Sequence, residues 1–282
     1  MTAAADESKS HTFDAIDPKD VDYGSLFDLT GQRHIVVGAG MGIGAATTRL
    51  IRHLGAEVMA VDIDEDRAKA IAAEVDGPWA SADATDSAGV AHIVEVAKSE
   101  LGPANGFVDI IGHGRVKPIS EFTMEDWQWS FRINVDHAFL LGQAFGPIIA
   151  ESSPGSMVFV ASTAGLYALA QQPGYGPAKA ALMTWVKSLA QEFGPSGVRV
   201  NAVIPGPILT PRLLEQYIAV DPKKYERMAR GSFLNRLGQP HEIAGAATFL
   251  LCRAAGYITG QSVPVEGGAM SRNPHQSPTL EA

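Results

Sequence analysis

A tyrosine and a lysine four residues apart, Tyr175 and Lys179, carry the clearest chemistry in the sequence. Side chains at this spacing project from the same face of a helix, and Pro177 between them fits a first helical turn. A lysine ammonium beside a phenol favours the phenolate and lowers the tyrosine pKa. The pair can then exchange a proton with an alcohol whose oxygen is held by the Ser162 hydroxyl. Taken alone, the spacing also fits a solvated helix edge.

A glycine-rich turn follows the apolar residues 35–37 and precedes a helical pattern. Such a turn lets a pyrophosphate approach the backbone at the N-terminus of the next helix, so it predicts a dinucleotide site. The residues of the turn that we expect to contact the cofactor are Gly38, Gly40, Met41, Gly42, Ile43 and Gly44.

The choice of dinucleotide depends on Asp62, at the end of the second predicted strand. A carboxylate there can accept hydrogen bonds from a ribose diol and repels a 2′-phosphate. Met41 leaves the glycine-rich turn without a nearby cation. Both features favour NAD over NADP, and the alternative for Asp62 is a helix cap or a solvated loop acid.

Short apolar strands alternate with helical segments along the chain, which predicts a doubly wound parallel sheet with helices on both faces, a Rossmann-type α/β fold. The predicted strands cover residues 34–37, 57–61, 79–82, 107–111, 156–160, 199–204 and 262–265. The predicted helices cover residues 43–53, 65–74, 88–99, 124–149, 175–193 and 241–251. We expect a flexible arm over residues 1–27, one dinucleotide-binding and catalytic domain over 28–270, and a polar tail over 271–282.

Composition excludes several classes of function. The 282 residues carry a net charge of −9, which argues against a nucleic-acid partner. The lone Cys252 excludes a disulfide framework and fits a reducing compartment. No apolar run approaches the ~20 residues of a membrane span, and residues 1–22 lack the apolar core of a secretory signal. The eight histidines do not show metal-ligand spacing. We therefore expect a cytoplasmic protein without a metal, a membrane or a nucleic acid as partner.

Residues 28–270 resemble the classical short-chain dehydrogenase/reductase family in the order of their motifs. The glycine-rich turn, the thirteen-residue interval from Ser162 to Tyr175 and the four-residue interval to Lys179 all match this family. The resemblance implies that Ser162, Tyr175, Lys179 and Asn134 are catalytic, with Asn134 supporting a water in a proton relay. It also implies an NAD-dependent enzyme that interconverts a secondary alcohol and a ketone, working as a homo-oligomer, in this family a tetramer. The further cofactor contacts that it implies are Ile63, Asp83, Ala84, Gly112, Tyr175, Lys179, Pro205, Gly206, Ile208 and Thr210.

One motif departs from the family pattern. The family has an Asn-Asn-Ala-Gly run after the fourth strand, where this chain reads Ile111-Gly112-His113-Gly114. Those asparagines normally tie the central strands together and border the cofactor. The departure supports an alternative function, a dinucleotide-binding sensor or assembly subunit with weak catalysis. His113 either reaches the cofactor ribose or the substrate, or is packed or bonded to water.

Residues outside these motifs give weaker indications. We expect residues 166–172 and 211–234 to select the substrate, and their apolar side chains indicate an apolar substrate body. His137 is expected to serve packing or an interface. Arg115 and Lys117 form a basic loop that can be merely solvated.

Overall fold

The computed structural model describes residues 16–271 except residue 222, and it leaves the side chains of residues 216 and 217 undescribed. Most of the predicted arm and all but the first residue of the predicted tail lie outside the described residues. A seven-stranded sheet forms the centre, in the order β3-β2-β1-β4-β5-β6-β7, and every neighbouring pair is parallel. The strands are β1 Arg33–Val37, β2 Glu57–Asp62, β3 Trp79–Ser81, β4 Gly106–Asp109, β5 Gly155–Val160, β6 Val198–Pro205 and β7 Ser262–Val265.

Helices cover both faces of the sheet, which confirms the doubly wound architecture. They are α1 Gly42–His53, α2 Glu65–Val75, α3 Ser87–Val96, α4 Met124–Phe131, α5 His137–Glu151, α6 Tyr175–Phe193, α7 Pro211–Leu213, α8 Lys223–Ala229 and α9 Pro240–Leu251. None of the helices in the described part of the chain is both long enough and apolar enough to cross a bilayer.

The predicted helix over residues 124–149 is not one regular α-helix. A π-helical turn, Arg132–Asp136, separates α4 from α5. Asn134 in this turn donates from Nδ2 to the Ser130 carbonyl at 2.8 Å. A side chain that bonds a carbonyl one turn earlier competes with the regular backbone ladder, and such turns are frequent at functional sites.

Two apolar layers hold the sheet rigid. On one face, Phe107 of β4 packs against Phe145 of α5 and Phe159 of β5, with ring centroids 6.1 and 5.3 Å apart. This layer also takes in α3 and α6. On the other face, α1, α2 and α9 bury residues such as Ile51 and Leu250. Each fully buried side chain of this size contributes roughly 1.5–3 kcal/mol, so the carboxyl edge of the sheet is a firm platform for a site.

The order of the strands reverses beside β1, since β2 lies on one side of it and β4 on the other. In a doubly wound sheet this reversal opens a crevice at the carboxyl ends of the strands, where ligands bind. β4 ends at Asp109, two residues before the predicted end, so Ile111 belongs to the loop that leaves the sheet here.

Candidate active site

A cleft of about 300 Å³ opens at the strand reversal. The cofactor residues predicted from the sequence that line it are Gly38, Met41, Gly42, Ile43, Asp62, Ile63, Asp83, Ala84, Gly112 and Thr210. Seven predicted contacts do not line this cleft. Gly40 donates to Asp62 and Gly44 packs against Gly38 within the turn. Pro205 ends β6, Gly206 follows it, and Ile208 lines a second cavity, while Tyr175 and Lys179 lie in α6.

The glycine-rich turn lines this cleft at the point where α1 begins. A Cβ atom on Gly44 would lie 1.9 Å from the Gly38 carbonyl oxygen, so only glycine allows α1 to begin this close to β1. Met41 precedes α1 and provides no side-chain cap, so within the described residues the helix N-terminus stays open toward the cleft. Backbone N–H groups at such a terminus favour an anion.

Asp62 is fixed at the end of β2. Its carboxylate accepts hydrogen bonds from the backbone N–H of Gly40 at 2.8 Å and of Asp64 at 3.1 Å. The side chain lines the cleft while remaining almost buried. The carboxylate therefore faces the cleft, and it braces the glycine-rich turn as well.

The expectation that Met41 leaves the turn without a nearby cation is wrong. Arg67 lines the cleft, with Nη1 3.5 Å from the Met41 sulfur and Nε 3.4 Å from the Asp64 carboxylate. Helix α2 begins at Glu65 and carries position 67 back over the turn. The sequence places Arg67 far from Met41, so only the fold brings them together.

Lys179 lies between the ends of β4 and β5. Its Nζ atom donates to the carbonyl oxygens of Ile111 at 3.1 Å and of Val160 at 2.9 Å, and the residue is 1 % exposed. Burial lowers the Lys179 pKa to about 8, and the charge of Asp109 opposes this shift. At neutral pH the side chain therefore remains mostly an ammonium.

Asn134 holds the loop that departs from the family pattern. Its Oδ1 accepts from the backbone N–H of His113 at 3.1 Å, and its Nδ2 donates to the His113 carbonyl at 2.8 Å. A Cβ atom on Gly112 would lie 2.5 Å from Lys179 Nζ and 2.9 Å from Asn134 Oδ1. Glycine is thus the residue that lets both side chains approach the loop this closely.

Ser162 and Tyr175 lie at the starts of two successive helical elements. Ser162 Oγ accepts from the Ala164 N–H at 3.1 Å and so caps the short 3₁₀ turn Thr163–Gly165. Tyr175 begins α6, one turn before Lys179, and its ring lies beside Gly114, where an added Cβ would be 3.2 Å from Cγ. Both residues are half-buried, so each retains access to solvent.

His113 lies in the wall of the cleft and is also packed against an aromatic ring. It lines the cleft, and its ring packs edge-on against Trp129 with centroids 5.9 Å apart. Arg212 brings Nη1 to 3.4 Å from His113 Nδ1 and donates to the Gly112 carbonyl at 3.3 Å. Desolvation, then Arg212 and Arg115, lower the His113 pKa, so the ring is held in its neutral form.

The basic loop at Arg115 and Lys117 is more than a solvated surface. Asp126 accepts from Arg115 at 2.6 Å and from Lys117 at 2.7 Å, and Arg115 also stacks on Trp129 at 4.0 Å. The Lys117, Thr123 and Arg115 bonds hold the pKa of the Asp126 carboxyl well below its usual range. This cluster anchors the loop that carries His113.

Sequence reasoning missed Asp109 altogether. Asp109 Oδ2 lies 2.6 Å from His137 Nδ1, and both side chains are fully buried beneath the site. His137 does serve packing, as expected, but it does so through this acid. An aspartate inside the apolar run Phe107-Val108-Asp109-Ile110 was the available signal, because a buried acid requires a partner.

A second cavity of about 440 Å³ adjoins the segment after β6. Tyr167 from the predicted specificity segment, Pro207, Met228 and Met270 line part of it. The Tyr167 hydroxyl bonds Thr163 at 3.0 Å, in the turn that Ser162 caps. Tyr167 therefore links the wall of this cavity to the turn that Ser162 caps.

Comparison with known proteins agrees with this architecture. The profile of the family described as enoyl-(acyl carrier protein) reductase matches residues 38–270. The chain is 33% identical over 247 residues to D-threitol dehydrogenase of Mycolicibacterium smegmatis, covering 86% of this chain and 94% of that protein. It is 32% identical to 7alpha-hydroxysteroid dehydrogenase of Escherichia coli over 86% of this chain and 95% of that one.

A solved structure gives the same result in three dimensions. A 7alpha-hydroxysteroid dehydrogenase in complex with NADH and 7-oxo glycochenodeoxycholic acid superposes with a TM-score of 0.82 at 30% identity. The match covers 87% of this chain and 96% of that one. Sequence motifs, fold and relatives agree, and the chain belongs to the short-chain dehydrogenase/reductase family of oxidoreductases.

Proposed function

We propose that this protein is an NAD-dependent dehydrogenase that interconverts a secondary alcohol and a ketone, using Ser162, Tyr175, Lys179 and Asn134. One observation carries the proposal. Gly112 lines the cofactor cleft on one side, while Lys179 Nζ and Asn134 Oδ1 lie against it on the other. Lys179 and Asn134 therefore lie directly behind the part of the cleft wall that Gly112 forms.

The four side chains divide the work in the oxidative direction. Tyr175, as phenolate, takes the hydroxyl proton of the alcohol. Ser162 orients the alcohol oxygen and stabilises its developing charge. Lys179 keeps an ammonium one turn from the phenol, which lowers the tyrosine pKa. Asn134 in the π-helical turn fixes the loop and supports a water that returns the proton to solvent. A bound nicotinamide supplies the hydride acceptor.

Replacing Tyr175 by phenylalanine tests the catalytic assignment. Because the phenol moves the proton, we expect Tyr175→Phe to lower turnover by at least about 100-fold. Cofactor affinity, measured by NADH fluorescence, should change little, since the aromatic ring stays in place. Normal turnover in this variant would overturn the assignment. A parent protein that binds dinucleotide but converts no alcohol or ketone from a broad panel would instead be the sensor.

The preference for NAD is proposed from Asp62, whose carboxylate lines the cleft. The related steroid dehydrogenase was solved with NADH, which supports the same choice. Arg67 in the same wall is the feature that opposes it, because a guanidinium suits a 2′-phosphate. Asp64 partly neutralises the Arg67 guanidinium, and this favours the ribose diol of NAD over the 2′-phosphate of NADP.

Thermal shifts with NAD, NADH, NADP and NADPH measure this preference directly. A ligand at a hundredfold excess over its Kd should raise the Tm by roughly 5–10 °C. We expect NADH to reach this range and NADPH to fall well short of it. If NADPH shifts the Tm as much as NADH, the Asp62 argument fails, and Arg67→Gln should then selectively weaken the NADPH shift.

The remaining parts of the proposal concern the substrate, the assembly and the compartment. The second cavity is lined mostly by apolar side chains, so we propose an apolar body for the small-molecule substrate. Family membership supports a homotetramer. The single buried cysteine, Cys252, fits a reducing compartment, and we propose a cytoplasmic location. We also propose that residues 28–270 act as one catalytic domain.

A further inference from the structure

The Asp109–His137 pair is unusual because it places an acid and an imidazole inside the main apolar layer. Both side chains are fully buried, and the atoms that face each other, Asp109 Oδ2 and His137 Nδ1, lie 2.6 Å apart. Burying such groups costs free energy unless they are paired, so the fold has a reason to keep them together. Packing alone does not supply that reason, since apolar residues would fill the same space.

The pair is connected to Lys179 through one residue, Ile111. Asp109 Oδ1 accepts from the Ile111 N–H at 3.1 Å, and the Ile111 carbonyl accepts from Lys179 Nζ at 3.1 Å. Ile111 stands where the family has an asparagine. The altered loop is therefore held between a buried carboxylate on one side and a buried ammonium on the other.

The charged groups around Lys179 indicate which carboxylate balances its ammonium. Among the described residues, the titratable or charged groups around Lys179 and the altered loop are Asp109 from β4, His137 from α5, Tyr175 from α6, His113 from the loop itself and Arg212 from α7. Asp109 is the carboxylate among them. His137 Nδ1 lies against Asp109 Oδ2, while Asp109 Oδ1 accepts from the Ile111 N–H, so both oxygens of the carboxylate are held in place.

We propose that Asp109, oriented by His137, is a positioning residue that acts as the buried counter-ion of Lys179 and sets the pH at which the site loses its ammonium. The counter-ion role does not depend on the proposed function; only the effect of Lys179 protonation on catalysis rests on it. A carboxylate near a buried ammonium favours the charged form, so removing it makes the lysine release its proton at lower pH.

Thermal unfolding as a function of pH tests this without cofactor or substrate. Lys179 titrates near pH 8 when folded and at 10.5 when exposed, so the unfolded chain binds the extra proton and stability rises across this window. The contribution of Lys179 is the difference between the curves of Tm against pH for the parent and for Lys179→Met. In Asp109→Asn we expect the start of this rise to move down by about one pH unit.

Two control variants separate a counter-ion from a packing residue. His137→Gln keeps the carboxylate and a side-chain N–H that can still bond it, so the pH at which stability rises should stay near that of the parent while the Tm falls. Asp126→Asn removes an acid that is bonded to Arg115 and Lys117 instead, so it should lower the Tm without moving the rise. An unmoved rise in Asp109→Asn overturns the proposal.

A double-mutant cycle covers the case in which Asp109→Asn folds poorly. A lone buried ammonium is the expected cause of such damage, so Asp109→Asn/Lys179→Met should recover soluble protein and lose less Tm than the sum of the single changes. If Asp109→Asn lowers the Tm equally in the parent and in Lys179→Met, the proposal is overturned. If the rise in stability shifts in Asp109→Asn but the parent protein converts no alcohol, the counter-ion proposal stands and the proposed function is refuted.

Discussion

At the scale of single residues, burial decides the behaviour of two ionisable side chains in the sheet layers. Lys179 is balanced by Asp109, but His34 in β1 lies fully buried with Gln32 as its side-chain partner, Nε2 to Oε1 being 3.0 Å. Burial lowers the His34 pKa to about 4, and the Gly106 backbone opposes this only in part. The folded protein therefore keeps a neutral ring under conditions where the unfolded chain takes up a proton.

His34 makes stability fall in acid. Above pH 6.5 the ring is neutral in both states and costs nothing, whereas between pH 6.5 and 4 only the unfolded state is protonated. We expect this group to remove about 3 kcal/mol from the free energy of unfolding across that window. Denaturant titrations of the parent and of His34→Gln should diverge accordingly. The exposed His92→Gln should follow the parent, and parallel curves for parent and His34→Gln would refute the prediction.

At the scale of elements, the loop after β4 and the π-helical turn between α4 and α5 form one unit. Asn134 exchanges two hydrogen bonds with the backbone of His113, and Lys179 bonds Ile111. Contacts from α6 and from the π-helical turn thus hold the loop in which the sequence departs from the family pattern. The alteration in sequence therefore does not leave the loop without support.

Gly112→Ala tests how closely this unit is fitted. The added methyl group would lie 2.5 Å from Lys179 Nζ and 2.9 Å from Asn134 Oδ1, which are both buried and hydrogen-bonded, so we expect a lower Tm. Displacing the ammonium should also lower kcat by up to about 100-fold, because small misplacements of reacting groups are costly. Gly245→Ala in α9 is the matched control, since nothing lies within 4 Å of its added Cβ. Unchanged kcat in Gly112→Ala would contradict this account.

At the scale of the whole molecule, β6, α9 and the N-terminal segment meet at one point. Arg199 of β6 donates to the carbonyl oxygens of Leu250, Leu251 and Cys252 and so caps α9. Phe27 packs against Phe249 with ring centroids 6.3 Å apart. The segment before β1 is thus attached to the domain through Phe27, and Arg253 Nη1 also donates to Ser25 Oγ at 3.2 Å. Phe139 and Trp127 remain partly exposed on α5 and α4.

The proposed tetramer has a direct test. Four copies of the 29.8 kDa chain give a particle of about 120 kDa in light scattering after gel filtration. Because exposed aromatic residues stabilise such assemblies, we expect Phe139→Glu to shift the particle to smaller mass. Tyr257→Glu, at a fully exposed position of the monomer, shows whether any lost aromatic group has the same effect. A parent that elutes at monomer mass would refute the tetramer.

The sequence by itself determined the fold and the location of the cleft. Short apolar strands between helical segments specify a doubly wound sheet, and such a sheet has its ligand site where the strand order reverses. The glycine-rich turn and the spacing of Tyr175 and Lys179 are local, so their geometry follows from helix and turn rules. Nine of the predicted cofactor residues other than Gly112 line the cleft for this reason.

Only the tertiary structure decided which distant side chains meet. Arg67 contacts Met41, and Asp109 pairs with His137. Asp126 accepts hydrogen bonds from Arg115 and Lys117. Each of these contacts joins separate elements. Such pairs depend on the packing of helices against strands, which periodicity does not encode. The regular helix expected over residues 124–149 gave way to a π-helical turn for the same reason, because Asn134 bonds a loop that only the folded sheet brings within its reach.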